Sequence, residues 1–226
     1  MKTPADNLQV VNSRIADAAR KSGRDPNQVT LVVVSKNRPV ELIRDVAETG
    51  QEVFGESRVQ EALVKIPLLP GKLRWHFIGH LQSNKIRKML PCFELVHGVD
   101  SLPLACDIDR IAAEEGLYPR VLLEVNVSGE GSKHGFTPTS LERVLDDLLT
   151  LPRLNVEGFM TMAPLARDAE ASRIHFAGLR DLRDRLAIGA GIPLSTLSMG
   201  MSNDYEVAIE EGATLVRVGS AIFDPD

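Results

Sequence analysis

Lys36 is the residue whose position in this sequence points most directly to covalent chemistry. It follows the run 31–35 (Leu-Val-Val-Val-Ser), which is apolar on both faces of a pleat and is therefore typical of a buried parallel strand. Pro39 lies where a helix would begin, so Lys36 falls at the carboxyl end of the strand, the edge at which α/β proteins build their sites. A partly desolvated amine there could form a Schiff base, although a solvated loop lysine is the other interpretation.

Two stretches near the end of the chain contain residues that suit a phosphate group. Residues 198–202 read Ser-Met-Gly-Met-Ser, and Asn203 with Glu206 resembles a capping pair that begins the next helix. Residues 217–221 (Arg-Val-Gly-Ser-Ala) repeat the arrangement after the last predicted strand. Backbone N–H groups and the Ser202 hydroxyl at a helix start can bind an anion. Each stretch alone is equally compatible with a capped helix behind a turn, but together, after adjacent strands, they favour phosphate.

The elements that must position these residues alternate along the whole chain. Helical spacing over residues 4–21 predicts an N-terminal helix, and the following pattern alternates between strands and helices, including helices over 81–90 and 168–187. The predicted strands are 31–36, 52–54, 73–78, 94–97, 121–127, 154–159, 194–198 and 214–218. We therefore predict one domain, residues 1–226, formed by a single (β/α)8 TIM barrel with an extra N-terminal helix. An open doubly wound sheet is the alternative.

Composition excludes several classes of function. The chain has 226 residues, 43% of them hydrophobic and 25% charged, and its net charge of -5 argues against binding to nucleic acid or to an anionic membrane. Cys92 and Cys106 cannot form a disulfide framework and have no partners at zinc-site spacing, so we expect no metal site. The chain has neither a signal-peptide pattern nor an apolar run of membrane-spanning length, which predicts a cytoplasmic protein.

The remaining polar candidates receive no catalytic role. His80 and His97 lie near the predicted rim, but no carboxylate spacing marks them as ligands or bases, so hydrogen bonding is expected. Glu56 and Glu61 are expected to pair with Arg58 or Lys65 on a solvated helix face. The segment Lys133-His134 is expected to be exposed.

A lysine able to form a Schiff base and a phosphate site on the same rim point to pyridoxal 5′-phosphate (PLP). The chain resembles the pyridoxal phosphate homeostasis protein family, also called the YggS/PROSC family. The matching stretches follow the order of that family from residue 34 to residue 223. They are Val34-Ser35-Lys36 with Pro39, Phe54-Gly55-Glu56 with Val59-Gln60-Glu61, Trp75-His76-Phe77-Ile78-Gly79, Leu81-Gln82-Ser83-Asn84-Lys85, Ser198-Met199-Gly200-Met201-Ser202 with Asp204, and Val216-Arg217-Val218-Gly219-Ser220-Ala221-Ile222-Phe223.

The resemblance implies a barrel like the N-terminal domain of alanine racemase, with PLP held as a Schiff base on Lys36. It implies that Ser202 and the backbone of Gly219 and Ser220 hold the phosphate, while Arg217 faces the pyridine nitrogen. Members of this family are associated with buffering and supply of PLP, without a firmly established catalytic activity. The expected partners are therefore PLP and apo PLP-dependent enzymes, and we expect a monomer.

Two residues depart from the family pattern. Ser57 stands where many members have asparagine after Phe-Gly-Glu, and Asp224 stands where they usually have glycine. A carboxylate at position 224 would oppose a phosphate if it turned inward, so the last loop is the part of the site that the resemblance predicts least well.

Two enzymatic alternatives remain. A PLP-dependent amino-acid racemase of this barrel type would need an opposing base from an additional C-terminal domain, and this chain ends at its last predicted barrel helix. A cofactor-free Schiff-base aldolase would also use Lys36, but the purified protein would be colourless, whereas a PLP Schiff base is yellow.

Overall fold

The computed structural model describes residues 3–131 and 134–224, and it confirms the predicted barrel. Eight parallel strands pair in chain order, and β1 closes the barrel by pairing with β8. The strands are β1 (Thr30–Val34), β2 (Val53–Glu56), β3 (Arg74–Phe77), β4 (Leu95–Val99), β5 (Arg120–Glu124), β6 (Asn155–Met160), β7 (Thr196–Ser198) and β8 (Leu215–Val218). Lys133 lies outside the described residues, whereas His134 is exposed as predicted.

The helices occupy the connections between strands and both ends of the chain. They are α1 (Pro4–Lys21), α2 (Val40–Glu48), α3 (Val59–Lys65), α4 (Ile86–Met89), α5 (Leu102–Glu115), α6 (Pro138–Leu149), α7 (Arg173–Ala190), α8 (Tyr205–Glu210) and α9 (Ser220–Phe223). Residues 81–90 form a shorter helix than predicted, because 3₁₀ turns at Ser83–Lys85 and Leu90–Cys92 flank α4. Pro91 in the second turn cannot donate the hydrogen bond that would continue an α-helix.

Alternation along the strands separates two cores. Inside the barrel, one side chain from each of six strands forms a small apolar cluster: Val32, Val53, Leu95, Leu122, Met160 and Leu215. The residues between them face outwards and belong to the large core shared with the helices, in which Phe54, Trp75 and Phe77 are almost fully buried. The interior of a small barrel is filled by side chains. The site must therefore lie beyond this plug, at an end of the barrel.

The N-terminal helix supports the last loop of the barrel. A capping box begins α1: Asp6 N donates to Thr3 Oγ1 at 3.2 Å, and Thr3 N donates to Asp6 Oδ2 at 2.8 Å. The helix packs against α8 and α9, and the buried Asn7 side chain donates to Ile222 O at 2.9 Å. Because α9 directly follows the loop after β8, α1 restrains the loop that carries the predicted phosphate residues.

A charged network closes the amino-terminal end of the barrel. Glu94, just before β4, accepts hydrogen bonds from Arg74 Nε at 2.6 Å and Arg120 Nη1 at 2.5 Å, and Arg120 Nε also binds Glu157 at 2.5 Å. These residues join four consecutive strands. The hydrogen bonds from Arg74, with the positive charge of Arg120, lower the pKa of Glu94 to about 2.

Candidate functional site

A cavity of about 440 Å³ lies at the carboxyl end of the barrel. Its wall is formed by the loops after β1, β6, β7 and β8, with single residues from the loops after β2 and β3. All five residues predicted to bind the cofactor line it: Lys36, Ser202, Arg217, Gly219 and Ser220. The structure therefore brings together residues that are far apart in the sequence.

Lys36 lies in the turn that follows β1, and its side chain is exposed at the cavity wall. Among the described residues, its amine has no hydrogen-bond or ion-pair partner. The turn itself is held firmly: Asn37 adopts a left-handed conformation with φ of 59°, and its N–H donates to Glu61 Oε2 at 3.2 Å. A primary amine on a well-anchored turn is available to react with a carbonyl group.

The predicted surface pair of Glu56 and Lys65 is instead buried beside this turn. Glu56 is the last residue of β2, is fully buried, and accepts from Ser35 Oγ at 2.8 Å and Lys65 Nζ at 2.9 Å. Lys65 Nζ also donates to Ser35 O at 2.9 Å. The prediction of a solvated face was wrong because the strand continues to Glu56, which places this carboxylate under α3. Burial raises the pKa of Glu56, and the hydrogen bonds from Lys65 and Ser35 oppose this shift.

Two backbone N–H groups of the loop after β8 converge on the cavity wall, next to β1. Gly219 N and Ala221 N each donate to Ser202 Oγ at 3.3 Å, so the hydroxyl lies between the loops after β7 and β8. A Cβ atom at position 219 would lie 3.1 Å from Val34 Cβ and 3.2 Å from Val34 O, closer than side chains usually pack, so glycine lets this loop lie against β1 without displacing it. Converging N–H groups with a hydroxyl between them form a concavity that suits a phosphate group.

The loop after β7 is ordered by Asp204 and not by the predicted capping pair of Asn203 and Glu206. Asp204 Oδ1 accepts from Met201 N at 2.7 Å, and Asp204 Oδ2 accepts from Ser172 Oγ at 2.9 Å. The helix begins one residue later than predicted, so the carboxylate of Asp204 is the group that can reach the turn. Asp204 therefore ties the Ser202 turn to the segment that precedes α7.

Arg217 is a buried cation whose side chain reaches the cavity wall. Its Nη1 donates to Ser198 Oγ at 2.5 Å and its Nη2 donates to Thr161 O at 3.0 Å. Burial lowers the pKa of Arg217 to about 10, and the negative charges of Glu124 and Asp204 limit this shift. The guanidinium is therefore still charged near neutral pH and presents a fixed donor to anything in the cavity.

A chain of hydrogen bonds continues from Arg217 into the barrel. Ser198 Oγ lies 2.9 Å from His97 Nδ1, and His97 Nε2 lies 3.1 Å from His76 Nδ1. His97 was predicted near the rim, but β4 extends to Val99, so its imidazole is fully buried inside the barrel. Spacing within the sequence could not reveal this chain, because its members come from four different strands.

A guanidinium can only donate, so Ser198 Oγ accepts from Arg217 and keeps its own proton and a second lone pair. The hydroxyl can therefore either donate to His97 Nδ1 or accept from it, and the tautomer of His97 decides which nitrogen donates in the contact with His76. His76 Nε2 is buried without a hydrogen-bond partner among the described residues. Burial lowers the pKa of His76 to about 4 and holds that of His97 well below its usual value. Both imidazoles are therefore neutral near pH 7.

Asp224 turns away from the phosphate concavity and pairs with Arg38 through both of its oxygens. The Arg38 guanidinium also lies over the Phe223 ring, 5.4 Å from its centroid, and it lines the cavity. The hydrogen bonds from Arg38 lower the pKa of Asp224. The carboxylate of Asp224, for which the family resemblance gave no expectation, is thus neutralised by Arg38.

The part of the cavity wall that the loop after β6 forms was not predicted from the sequence. Residues 162–166 (Met-Ala-Pro-Leu-Ala) line the cavity, and Met162 and Leu165 are exposed there. The available signal was the lack of polar side chains in a loop at the predicted rim, which is unusual for a surface connection. In the part of the chain that the structure describes, no helix is long and apolar enough to cross a membrane.

Comparison with known proteins identifies close relatives over almost the whole chain. The family model described as alanine racemase, N-terminal domain, matches residues 7–225. The chain is 42% identical over 219 residues to the pyridoxal phosphate homeostasis protein of Aquifex aeolicus, covering 96% of each protein. It is 44% identical over 227 residues to the protein of the same name from Pseudomonas aeruginosa, covering 99% of this chain and 96% of the relative.

Solved structures agree with this similarity. PipY of Synechococcus elongatus PCC7942, with PLP bound, is 40% identical with a TM-score of 0.81, covering 92% of this chain and 99% of PipY. A protein from Bifidobacterium adolescentis is 38% identical with a TM-score of 0.91, covering 97% of this chain and 94% of the other. Alanine racemase of Clostridium difficile is 19% identical with a TM-score of 0.73, covering 96% of this chain and 55% of the racemase, so this likeness concerns the fold alone.

Proposed function

Because the chain belongs to the family of pyridoxal phosphate homeostasis proteins, we propose that it binds PLP as a Schiff base on Lys36 and takes part in intracellular PLP homeostasis. Its role is to buffer the cofactor and deliver it to apo PLP-dependent enzymes. The observation that carries this proposal is the meeting of Lys36, the Ser202–Gly219 concavity and Arg217 on the wall of one cavity.

The donor set fits PLP group by group. The Lys36 amine is available for the aldehyde, while the Ser202 hydroxyl and the two N–H groups that donate to it over 3.3 Å, those of Gly219 and Ala221, surround the position proposed for the phosphate. Arg217 supplies a fixed donor for the pyridine nitrogen. When bound, PLP supplies an electrophilic aldehyde and a ring that can withdraw electrons. A donor such as Arg217 opposite the ring nitrogen keeps that nitrogen unprotonated, which weakens the withdrawal.

The surrounding groups favour a carrier over an enzyme. Proton-transfer catalysis needs a titratable group within reach of the substrate and with a pKa near the working pH. His76 and His97 are buried and neutral, and Glu56 is bound to Lys65 and Ser35. None of these three lines the cavity. The exposed mouth of the cavity also suits exchange of a cofactor better than reactions that require exclusion of water.

Borohydride reduction tests the covalent assignment. Reduction of the PLP-loaded protein should fix a pyridoxyl group on the peptide that contains Lys36, and Lys36→Ala should remove both the label and the yellow colour. Lys88→Ala, which removes an exposed lysine of α4, is the matched control and should keep the label. Recovery of the label chiefly on Lys85 or Lys133 would contradict the assignment.

Two further measurements separate a carrier from a racemase-like enzyme. The loaded protein should restore activity to an apo aminotransferase while it loses its own yellow colour. Incubation with L-alanine or D-alanine should not racemise the amino acid at an enzymatic rate. Repeated racemisation that disappears in Lys36→Ala would overturn the carrier assignment in favour of the enzyme.

A further inference from the structure

A cluster of metal-binding side chains lies on the same rim but outside the PLP cavity. His80 follows β3, Asp100 follows β4, and His134 lies in the loop between β5 and α6. One ligand atom from each residue lies within 4.8 Å of the other two. None of the three residues lines the cavity described above. We propose that His80, Asp100 and His134 form a binding site for a divalent transition-metal ion such as zinc.

The distances between the ligand atoms are close to those that one ion requires. His80 Nδ1 lies 3.1 Å and His134 Nδ1 lies 4.0 Å from the same oxygen, Asp100 Oδ2. Two ligand atoms bound at tetrahedral angles to one zinc ion are about 3.3 Å apart. The longer separation closes by a small rotation of His134, whose side chain is 64% exposed and therefore able to move.

The environment of Asp100 supports coordination. Its side chain is only 11% exposed, and its ion-pair partners among the described residues are the two histidines. Asp100 Oδ1 accepts from Ser101 Oγ at 3.1 Å, which orients the carboxylate so that Oδ2 faces both imidazoles. Hydrogen bonds of this kind to the second oxygen of a ligand are a regular feature of metal sites.

The histidine rings are stacked, with centroids 4.3 Å apart and an interplanar angle of 20°. Because the lone pairs of nearly parallel rings do not converge, the exposed His134 ring must turn out of the stack to share an ion with His80, and both Nδ1 atoms already lie within 4.0 Å of Asp100 Oδ2. Two imidazoles and one carboxylate are the ligand types that zinc and similar ions prefer, and three protein ligands leave the fourth position open. Because both imidazoles are about half exposed or more, this open position faces solvent.

Cobalt is a suitable probe because Co²⁺ bound by nitrogen and oxygen ligands in tetrahedral geometry absorbs visible light. The full-length protein, free of any histidine tag and of PLP, should bind one equivalent of Co²⁺ with a saturable change in absorption, and Zn²⁺ should displace it. His80→Ala and the nearly isosteric Asp100→Asn should each weaken Co²⁺ binding at least about tenfold. Thermal unfolding of each variant checks that it is folded.

The matched control is His175→Ala, which removes a histidine of α7 that lies outside the cluster and should bind Co²⁺ as the wild type does. Lys36→Ala should also retain Co²⁺ binding, so failure of the PLP assignment and failure of the metal site can be distinguished. Absence of saturable Co²⁺ binding by the wild type would overturn the proposal. Equal affinity in His80→Ala and His175→Ala would overturn it as well and would leave His80 and Asp100 as a hydrogen-bonded surface pair.

Discussion

We expect individual hydrogen-bonding groups to determine how the proposed site distinguishes PLP from similar molecules. The Ser202 hydroxyl contacts both converging N–H groups of the last loop, so it is the side chain most directly placed for the phosphate. A molecule without the phosphate would leave these donors without a charged acceptor. Discrimination should therefore depend on Ser202 more than on the apolar wall of the cavity.

Replacing Ser202 by alanine tests this idea. A lost hydrogen bond to a charged group costs about 1.5–3 kcal/mol, so Ser202→Ala should raise the dissociation constant for PLP roughly tenfold to a hundredfold. The control Ser140→Ala changes a partly buried serine of α6 that does not line the cavity, and it should leave the affinity unchanged. Spectroscopic titration with PLP measures both, and equal affinity of the wild type for PLP and pyridoxal would contradict the assignment.

Ser198 connects Arg217 with the buried histidines and should matter for stability. Ser198→Ala would leave the buried Arg217 guanidinium without one acceptor and His97 Nδ1 without its hydrogen-bond partner. The free energy of unfolding should therefore fall by about 1–3 kcal/mol. Urea unfolding measures the change, again with Ser140→Ala as the control. A change below about 0.5 kcal/mol would mean that the chain from Arg217 to His76 contributes little to stability.

At the scale of elements, Glu94 links strands at the end of the barrel opposite the site. The pKa of Glu94 is about 2, compared with 4.5 for an unperturbed glutamate. A lowered pKa in the folded state stabilises the protein above pH 4.5, and this contribution is lost as the pH falls towards 2. Since Glu94 is partly exposed, we expect the contribution to be about 1–3 kcal/mol.

Glu94→Gln should therefore lower the free energy of unfolding at pH 7 by about 1–3 kcal/mol and make stability less dependent on pH between 4.5 and 2. Chemical unfolding at a series of pH values provides the measurement. Glu41→Gln changes an exposed glutamate of α2 and should have an effect below about 0.5 kcal/mol. The same acid sensitivity in both variants would exclude a special role for Glu94.

At the scale of the whole molecule, binding of PLP should be measurable as stability. We expect the single predicted domain to unfold in one cooperative transition, because one core joins α1 to the barrel and to its last helix. At a free PLP concentration a hundredfold above the dissociation constant, linkage predicts about 2.7 kcal/mol of added stability.

For a chain of this length, the added stability corresponds to a rise in Tm of roughly 5–10 °C. Differential scanning calorimetry with and without PLP measures the rise, and Lys36→Ala should show a smaller one at the same PLP concentration. Two separate transitions in the absence of PLP would contradict the prediction of a single domain.

The order of strands and helices was determined by the sequence itself, because the spacing of apolar residues reports which face of each element is buried. The alternation along the chain favoured the barrel and left an open sheet as the alternative, which the pairing of β1 with β8 excludes. The position of Lys36 after a buried strand predicted that it lies at the carboxyl end of the barrel, where the structure places it. The glycine and serine residues of the last two loops placed the proposed phosphate concavity on the same rim, and Ser202, Gly219 and Ser220 line one cavity with Lys36.

Contacts between distant elements were decided only by the tertiary structure. Two groups of side chains come together from several strands or loops. They are the hydrogen-bonded series from Arg217 to His76 and the cluster of His80, Asp100 and His134. Their distances depend on how the barrel closes, which no local pattern records. Burial of Glu56 likewise depended on where β2 ends, because the strand continues two residues beyond the predicted end and carries this carboxylate from the rim into the core. Local spacing thus determined which residues share a rim, whereas barrel closure decided which of them touch.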